Sequence, residues 1–538
     1  MLRIFRRSGF LLILIIAFLF SGKSTVLAQS QEVKDNIQKI VALYQLVDYA
    51  YIDSVDLEDL VDNAIIETLK ELDPHSSYIP KKEIDRAEEP LRGSFEGIGI
   101  TFQIFKDTIL VIAPIPGGPS ERLGIMAGDK IIKINDTAAY GDKVNNQYVM
   151  DRLRGKKGTT VDVSIYRKGR SSLIDYTIER DKIPINSIDA VFMASPETGY
   201  IKLNRFSATT LDEFIVAVTR LRVEGMKNLM LDLRGNSGGY LGTAIDLSDQ
   251  FLEGGKMIVY TEGLKAPMQK YLSKPGGIFR DGKLLILIDE GSASASEIVA
   301  GAVQDWDRAI IIGRRSFGKG LVQRPFPLPD GSVIRLTTSR YHTPTGRSIQ
   351  KPYNNGVEDY YLDIFNRMKH GELVHADSIK FPDSLKYTTP AGRVVFGGGG
   401  IMPDIFVPWD STWISDYYTE IRRKGVLNQF TVQYVDDHRD DILKQYPEVK
   451  DYIKGFNPDK QFMDNFIAFG ENMGVTFDQE GFNRSKAYLE VQIKAWMARN
   501  IWDVSASYQV FTVIDDGFIK AMEVMNNDAL FDEWKIQY

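Results

Sequence analysis

Two stretches of this chain follow one plan. Asn228-Leu-Met-Leu-Asp-Leu233 is a continuous apolar run. It leads into Arg234-Gly-Asn-Ser-Gly-Gly239, and a helical pattern follows from about Thr243 to Leu252. Leu284 to Ile288 is a second apolar run, ending in Gly291-Ser-Ala-Ser-Ala-Ser-Glu-Ile298. Ile298, Val299, Ala302 and Val303 then recur at helical spacing, and Ala309-Ile-Ile-Ile-Gly313 is a further apolar strand. Buried strands that alternate with helices predict an α/β core with a parallel sheet. Both small-residue turns then lie at the carboxyl ends of their strands, where open α/β sheets build their sites.

A serine run at a strand-to-helix turn has two readings. Serine is an ordinary N-cap. It is also a nucleophile when a rigid turn holds it beside free helix N–H groups that can face negative charge. Composition limits the base that could activate it. The chain has no cysteine, so disulfides, thiol catalysis and Cys-ligated zinc are excluded. Its five histidines include no His-x-x-x-His pair, which argues against a metal site. A lysine can take the proton of a serine if it is neutral, and a free lysine has a pKa near 10.4. Such a lysine must be desolvated. Lys319 lies in Ser316-Phe-Gly-Lys-Gly320, where flanking glycines let the backbone approach the serine turn. These arguments do not choose among Ser292, Ser294 and Ser296.

The other segments organise around this core. Residues 1–28 read as a secretory signal: Arg3, Arg6 and Arg7, an apolar run from Gly9 to Phe20, then Val26-Leu-Ala28. The expectation is an exported protein of a bacterial envelope or periplasm, cut near Ala28. Val33 to Tyr51 and Leu57 to Leu72 predict two amphipathic helices, the second capped by Asp56. Net charge is −7, which argues against nucleic acid as a partner. From about Glu88 to Ile183 short strands and glycine turns take over. Their order resembles a PDZ domain. Gly97, Ile98, Gly99 and Ile100 match that family's carboxylate-binding loop, whose N–H groups hold a peptide's terminal carboxylate. Residues 353–390 are expected to be irregular, and Val394 to Pro408 to contain a strand that closes the core. Beyond Ser411 helical patterns return without a chemical motif.

Taken together, Leu72-Asp-Pro-His-Ser-Ser-Tyr78, Phe95-Glu-Gly-Ile-Gly99, Leu231 to Gly239, Gly291 to Ile298, Phe317-Gly-Lys-Gly-Leu-Val-Gln323 and Pro403-Asp404 resemble the carboxyl-terminal processing peptidases, or tail-specific proteases. The resemblance spans roughly residues 70–408. It implies a multidomain α/β protein with a crotonase-like protease core, an inserted PDZ domain and helical segments at both ends. The corresponding boundaries are 29–85 for the N-terminal helices, 86–183 for PDZ, 184–408 for the core and 409–538 for the C-terminal helices. It also implies Ser294 as nucleophile, Lys319 as general base and Gln323 as the group that orients the amine. The oxyanion donors would be Ala295 with Gly238 or Gly239. Ser237 stands where the family often has proline. No cofactor or metal is implied. Expected partners are proteins or peptides with apolar C-termini, with an envelope lipoprotein adaptor and a homodimer carried as further expectations. Two alternatives remain: a non-catalytic PDZ scaffold on a degenerate core, and an acyl-CoA enzyme of the crotonase type. The export signal and the PDZ domain disfavour the latter.

Overall fold

The computed structural model describes residues 31–538. The expected signal segment lies outside the described residues. The chain forms two compact units, one through Thr68 and one from Leu69 to Tyr538. The first holds the helix Gln31–Ala50 and most of the helix Leu57–Lys70, joined by Tyr44 Oη donating to the Leu60 carbonyl at 3.3 Å. Asp56 caps the second helix by accepting from the Glu58 and Asp59 N–H groups.

The second unit is built on a six-stranded sheet. Its strands run in the order Ile188–Met193, Thr198–Leu203, Asn228–Asp232, Leu284–Ile288, Ile310–Gly313 and Ile405–Phe406. The first pair is antiparallel and every later pair is parallel. Leu231 lies opposite Ile286, so the two turn-bearing strands end side by side. The apolar runs are continuous because both faces are covered. Leu229, Leu231, Leu284, Ile286 and Ile288 pack under the helices Thr210–Val223, Leu241–Asp249 and Ala295–Asp305. Met230, Leu285, Leu287, Ile310 and Ile312 pack on the opposite face against Phe518, Ala521, Val524 and Phe531 of the last helices, Asp516–Met525 and Asp528–Glu533.

A five-stranded antiparallel sheet flanks the core. Its long strand Val333–His342 pairs with Ser77–Ile79, Leu321–Pro327 and Met257–Gly263. The Asp73–Tyr78 stretch, a break in the helical pattern by sequence, therefore leads into a strand of this sheet. The helix Ile84–Arg92 follows and spans the expected boundary at residue 86. A two-stranded ribbon, Ser94–Gly97 with Asp181–Pro184, then connects to a separate sheet, Ile100–Phe105, Thr108–Pro114, Lys130–Ile134, Thr160–Tyr166 and Ile174–Glu179. That sheet and the helix Asn146–Leu153 enclose their own apolar core.

The C-terminal helices from Asp416 to Phe511 form a further core around Phe430, Phe466 and Ile493. Gly425 divides the first of the helical patterns beyond Ser411 into Asp416–Arg423 and Val426–Gln445. Phe105, Leu110 and Ile112 of the separate sheet rest on Val432 of the longer helix. Residues 353–390, expected to be irregular, contain the helix Val357–Lys369. Its buried face includes Arg367, whose guanidinium donates to the Arg315 and Ser316 carbonyls, so the helix lacks a plain apolar stripe.

Candidate active site

The two parallel turns are laced together. Leu233 N–H donates to the Leu287 carbonyl, Gly235 N–H to Asp289 Oδ1 and Ala293 N–H to the Asn236 carbonyl. Ser292 Oγ donates to the Leu233 carbonyl at 2.9 Å, and Ser296 Oγ to the Asn236 carbonyl at 2.8 Å. Both serines are fully buried. Ser294 is partly exposed and lines a cleft of about 480 Å³. The three serines that sequence left equivalent thus have different surroundings.

Ser294 has φ +56° and ψ −110°, and Ser296 N–H donates back to the Ala293 carbonyl at 3.1 Å. This is the first central position of a type II′ turn, where glycine is preferred. A residue with a side chain there carries strain of roughly 1–3 kcal/mol. The backbone thereby turns sharply from Asp289–Ala293 into the helix Ala295–Asp305 with the hydroxyl at its entrance. Gly238 closes on this turn. A Cβ at residue 238 would lie 2.8 Å from Ser294 Cβ, and one at residue 239 would lie 2.0 Å from the Phe206 carbonyl oxygen. Only glycine fits at either position. Gly238 N–H donates to Asn236 Oδ1 at 2.9 Å. The N–H groups of Gly239 and Ala295 have no hydrogen-bond partner among the described residues and belong to the cleft wall.

Glu297 is the buried clasp between the serine turn and the lysine loop. Its Oε2 accepts the Ser294 N–H at 2.7 Å and the Lys319 N–H at 2.9 Å. Its Oε1 accepts the Gly318 N–H at 2.7 Å and Ser316 Oγ–H at 2.5 Å. Burial pushes its pKa up to about 7 against these four hydrogen bonds. Tyr341 adds a second link: its hydroxyl lies 2.7 Å from the Lys319 carbonyl and 3.2 Å from that of Ser294. Lys319 extends into the cleft, and its amine has no hydrogen bond or ion pair among the described residues. Burial lowers its pKa, with Arg335 adding to the effect and Glu297 and Asp73 opposing it.

Gln323 lies on the strand Leu321–Pro327 and also lines the cleft. Its Nε2 donates to Thr337 Oγ1 at 3.0 Å, and that hydroxyl donates to Asp73 Oδ1 at 3.0 Å. Asp73 further accepts the His75 and Ser76 N–H groups and the Ser76 hydroxyl. This Asp73–Thr337 knot and the Glu297 clasp received no role from sequence. The clasp had a local signal, since Ser294-Ala-Ser-Glu297 has capping-box spacing. His75 donates to or accepts from Tyr360 Oη at 2.8 Å, and burial together with nearby Lys319 lowers its pKa to about 3. It is neutral near pH 7.

The glycine loop at residues 97–100 lies away from these turns. Gly97 ends the ribbon, and Ile98 buries its side chain in the core of the separate sheet. The Ile98 carbonyl accepts from Ser120 N–H and Oγ, and Gly99 has φ +74°. Ile100 begins an edge strand paired on one side only. The helix Ile84–Arg92 leads toward this loop and contributes Glu88 and Leu91 to the cleft wall.

Comparisons with known proteins agree with this layout. The model of Peptidase family S41 matches residues 197–361, and that of the PDZ domain matches residues 97–178. A family of unknown function matches residues 417–503. The carboxy-terminal-processing protease of Bartonella bacilliformis is 36% identical over 341 residues, covering 61% of this chain and 77% of the relative. The carboxy-terminal processing protease CtpA of Bacillus subtilis is 34% identical over 376 residues, covering 66% and 78%. A probable CtpA-like serine protease of Staphylococcus saprophyticus is 31% identical over 357 residues, covering 64% and 72%.

Proposed function

The chain belongs to peptidase family S41 as a protease of the carboxy-terminal processing kind, and on that premise we propose an exported serine endopeptidase that captures C-terminal tails and cuts with Ser294 and Lys319. The observation that carries the reading is a strained, cleft-facing Ser294 and a partly buried Lys319 amine that has no partner among the described residues, both backbones clasped by Glu297. Neutral Lys319 takes the proton of Ser294 Oγ, which attacks a peptide carbonyl. The oxyanion forms opposite the N–H groups of Ala295 and Gly239. The Gly238 N–H already donates to Asn236, which supports Gly239 rather than Gly238 in that role. Each such donor is typically worth ~3 kcal/mol in the transition state. Lys319 then passes its proton to the leaving amine, and water, deprotonated by the regenerated Lys319 amine, releases the acyl group. Gln323 has its Nε2 on Thr337, which leaves its amide oxygen available to accept from the Lys319 amine and orient it once substrate is bound.

The PDZ domain takes the substrate's end. Its edge strand from Ile100 accepts the tail as an added strand, and the turn at Gly99 presents N–H groups to the carboxylate. Self-association is proposed through the helix Gln31–Ala50, which buries none of its residues while exposing Ile37, Ile40, Val41 and Leu46. Export rests on residues 1–28 and is checked by fractionation of the producing cell.

The test is an unfolded reporter with an apolar C-terminal tail, incubated with the mature chain, Ser294→Ala and Lys319→Ala. Cleavage by the native chain alone is expected, with kcat in each variant reduced by about a thousandfold or more. Loss of cleavage when the tail is made charged supports tail capture. If all three bind the tail and none cuts, the protein is a scaffold. Undiminished cleavage by both variants assigns the chemistry elsewhere.

A further inference from the structure

The glycine turn that supplies the Gly239 N–H is held from below by a residue far outside the protease core. Arg234 opens the turn. Its guanidinium is bidentate with Asp515, both contacts at 2.7 Å, and also bonds Asp232. Its N–H donates to Asp232 Oδ1, and its carbonyl accepts the amine of Lys202. Asp515 is the N-cap of the helix Asp516–Met525, where it accepts the Phe518 N–H. A second observation shows how closely this helix is fitted to the arginine. A Cβ at residue 517 would lie 2.6 Å from Arg234 Nη1, so glycine there lets the helix start reach the guanidinium.

The turn needs such anchoring. Gly235, Gly238 and Gly239 all have positive φ, and no sheet ladder extends through the turn. Glycines give the backbone many accessible conformations, so tethers must select one: backbone bonds join Asn236 to Ala293 and join Gly238 and Tyr240 to Phe206, and side chains add the rest. Asp289 tethers Gly235 and Asn236 tethers Gly238. Asp232 and Lys202 fix the backbone at Arg234. Asp515 is the tether that comes from the C-terminal helices, 281 residues along the chain from Arg234.

We propose that Asp515 is a positioning residue of the active site: through Arg234 it sets the glycine turn so that the Gly239 N–H faces the developing oxyanion. This rests on the proteolytic reading above for its chemical consequence, though not for the mechanical link. The last helices are then working parts of the protease.

The test uses the full-length mature chain with Asp515→Ser, which keeps an N-cap oxygen for Phe518 while removing both contacts to Arg234. Asp515→Asn is a milder companion. Asp528→Asn is the control, since Asp528 bonds Lys283 from the neighbouring exposed position of the same C-terminal segment. Three quantities are read: amide hydrogen exchange at Gly235, Asn236 and Gly238, kcat and KM on the tailed reporter, and affinity for a peptide aldehyde that forms a tetrahedral adduct. Asp515→Ser is expected to speed exchange at the turn. It should lower kcat by about 10- to 100-fold with KM within about twofold, as for a misplaced transition-state contact. Aldehyde affinity should fall in parallel with kcat, and Asp528→Asn should move none of the three. Unchanged exchange at the turn overturns the proposal whether or not the chain cuts. Faster exchange with unchanged kcat and aldehyde affinity overturns its catalytic part. If the native chain never cuts yet the turn responds to Asp515→Ser, the mechanical link stands and the proteolytic reading fails.

Discussion

Two lysines near one cleft, Lys202 and Lys319, are both withdrawn from water and have opposite surroundings. Lys202 lies beneath the glycine turn, with its amine on Asp232 and the Arg234 carbonyl. Asp232 in turn bonds Tyr200 and Arg234. Against burial, Arg234 and Lys202 hold the Asp232 carboxyl well below the usual carboxylate range. Lys319 lies in the cleft with no partner for its amine among the described residues, and burial lowers its pKa. A buried charge that is paired stays charged and fixes structure. A buried amine left unpaired is pushed toward its neutral form and becomes a base.

The sharpest way to break this contrast is to delete each amine and measure stability. Lys202→Ala leaves Asp232 in a buried cluster without one of its counter-charges, and is expected to destabilise the fold by ~3 kcal/mol. Lys319→Ala relieves a desolvated amine and should change stability by less than ~1 kcal/mol. Denaturant midpoints decide: equal losses in the two variants would mean that Lys319 is as structural as Lys202.

The pH profile sharpens it. The neutral amine is the active form, so kcat/KM should climb as pH rises through the lowered pKa of Lys319 and level off above it. The rising limb should be centred below the ordinary lysine value of about 10.4. A rising limb centred at or above that value would show that burial does not deprotonate this amine.

The smallest effect concerns the residue that the amine serves. Ser294 occupies a conformation that glycine accepts without strain. Ser294→Gly should therefore be more stable than Ser294→Ala by ~1 kcal/mol, with both inactive. An alanine variant as stable as the glycine variant would show that the turn is unstrained.

How much of this could be read from the residues alone depended on whether the signal was local. Leu284–Ile288 is apolar at every position because both faces of its sheet are covered, and the run itself says so. Ser294 and Lys319 lie in short motifs with distinctive glycine and serine spacing. Glu297 lay within such a motif at capping-box spacing; that it clasps two loops is visible only when the lysine loop, 22 residues on, folds back. The helix Val357–Lys369 was hidden because a buried arginine, donating to two carbonyls, stands where periodicity looks for a hydrophobic residue. Asp515 had no local signal at all, since its partner lies 281 residues upstream.

The two covers of the central sheet come from different times in the chain's synthesis. The helices Thr210–Val223, Leu241–Asp249 and Ala295–Asp305 are made with their strands and can shield one face as they emerge. The other face, with Met230, Leu285, Leu287, Ile310 and Ile312, waits for Phe518 to Phe531. Until more than two hundred residues after Ile312 have been made, that apolar surface has no lid from its own chain. A nascent chain of this protein is thus an aggregation hazard late into its synthesis and a ready client for a holdase. A stop codon near residue 510 would leave it one permanently.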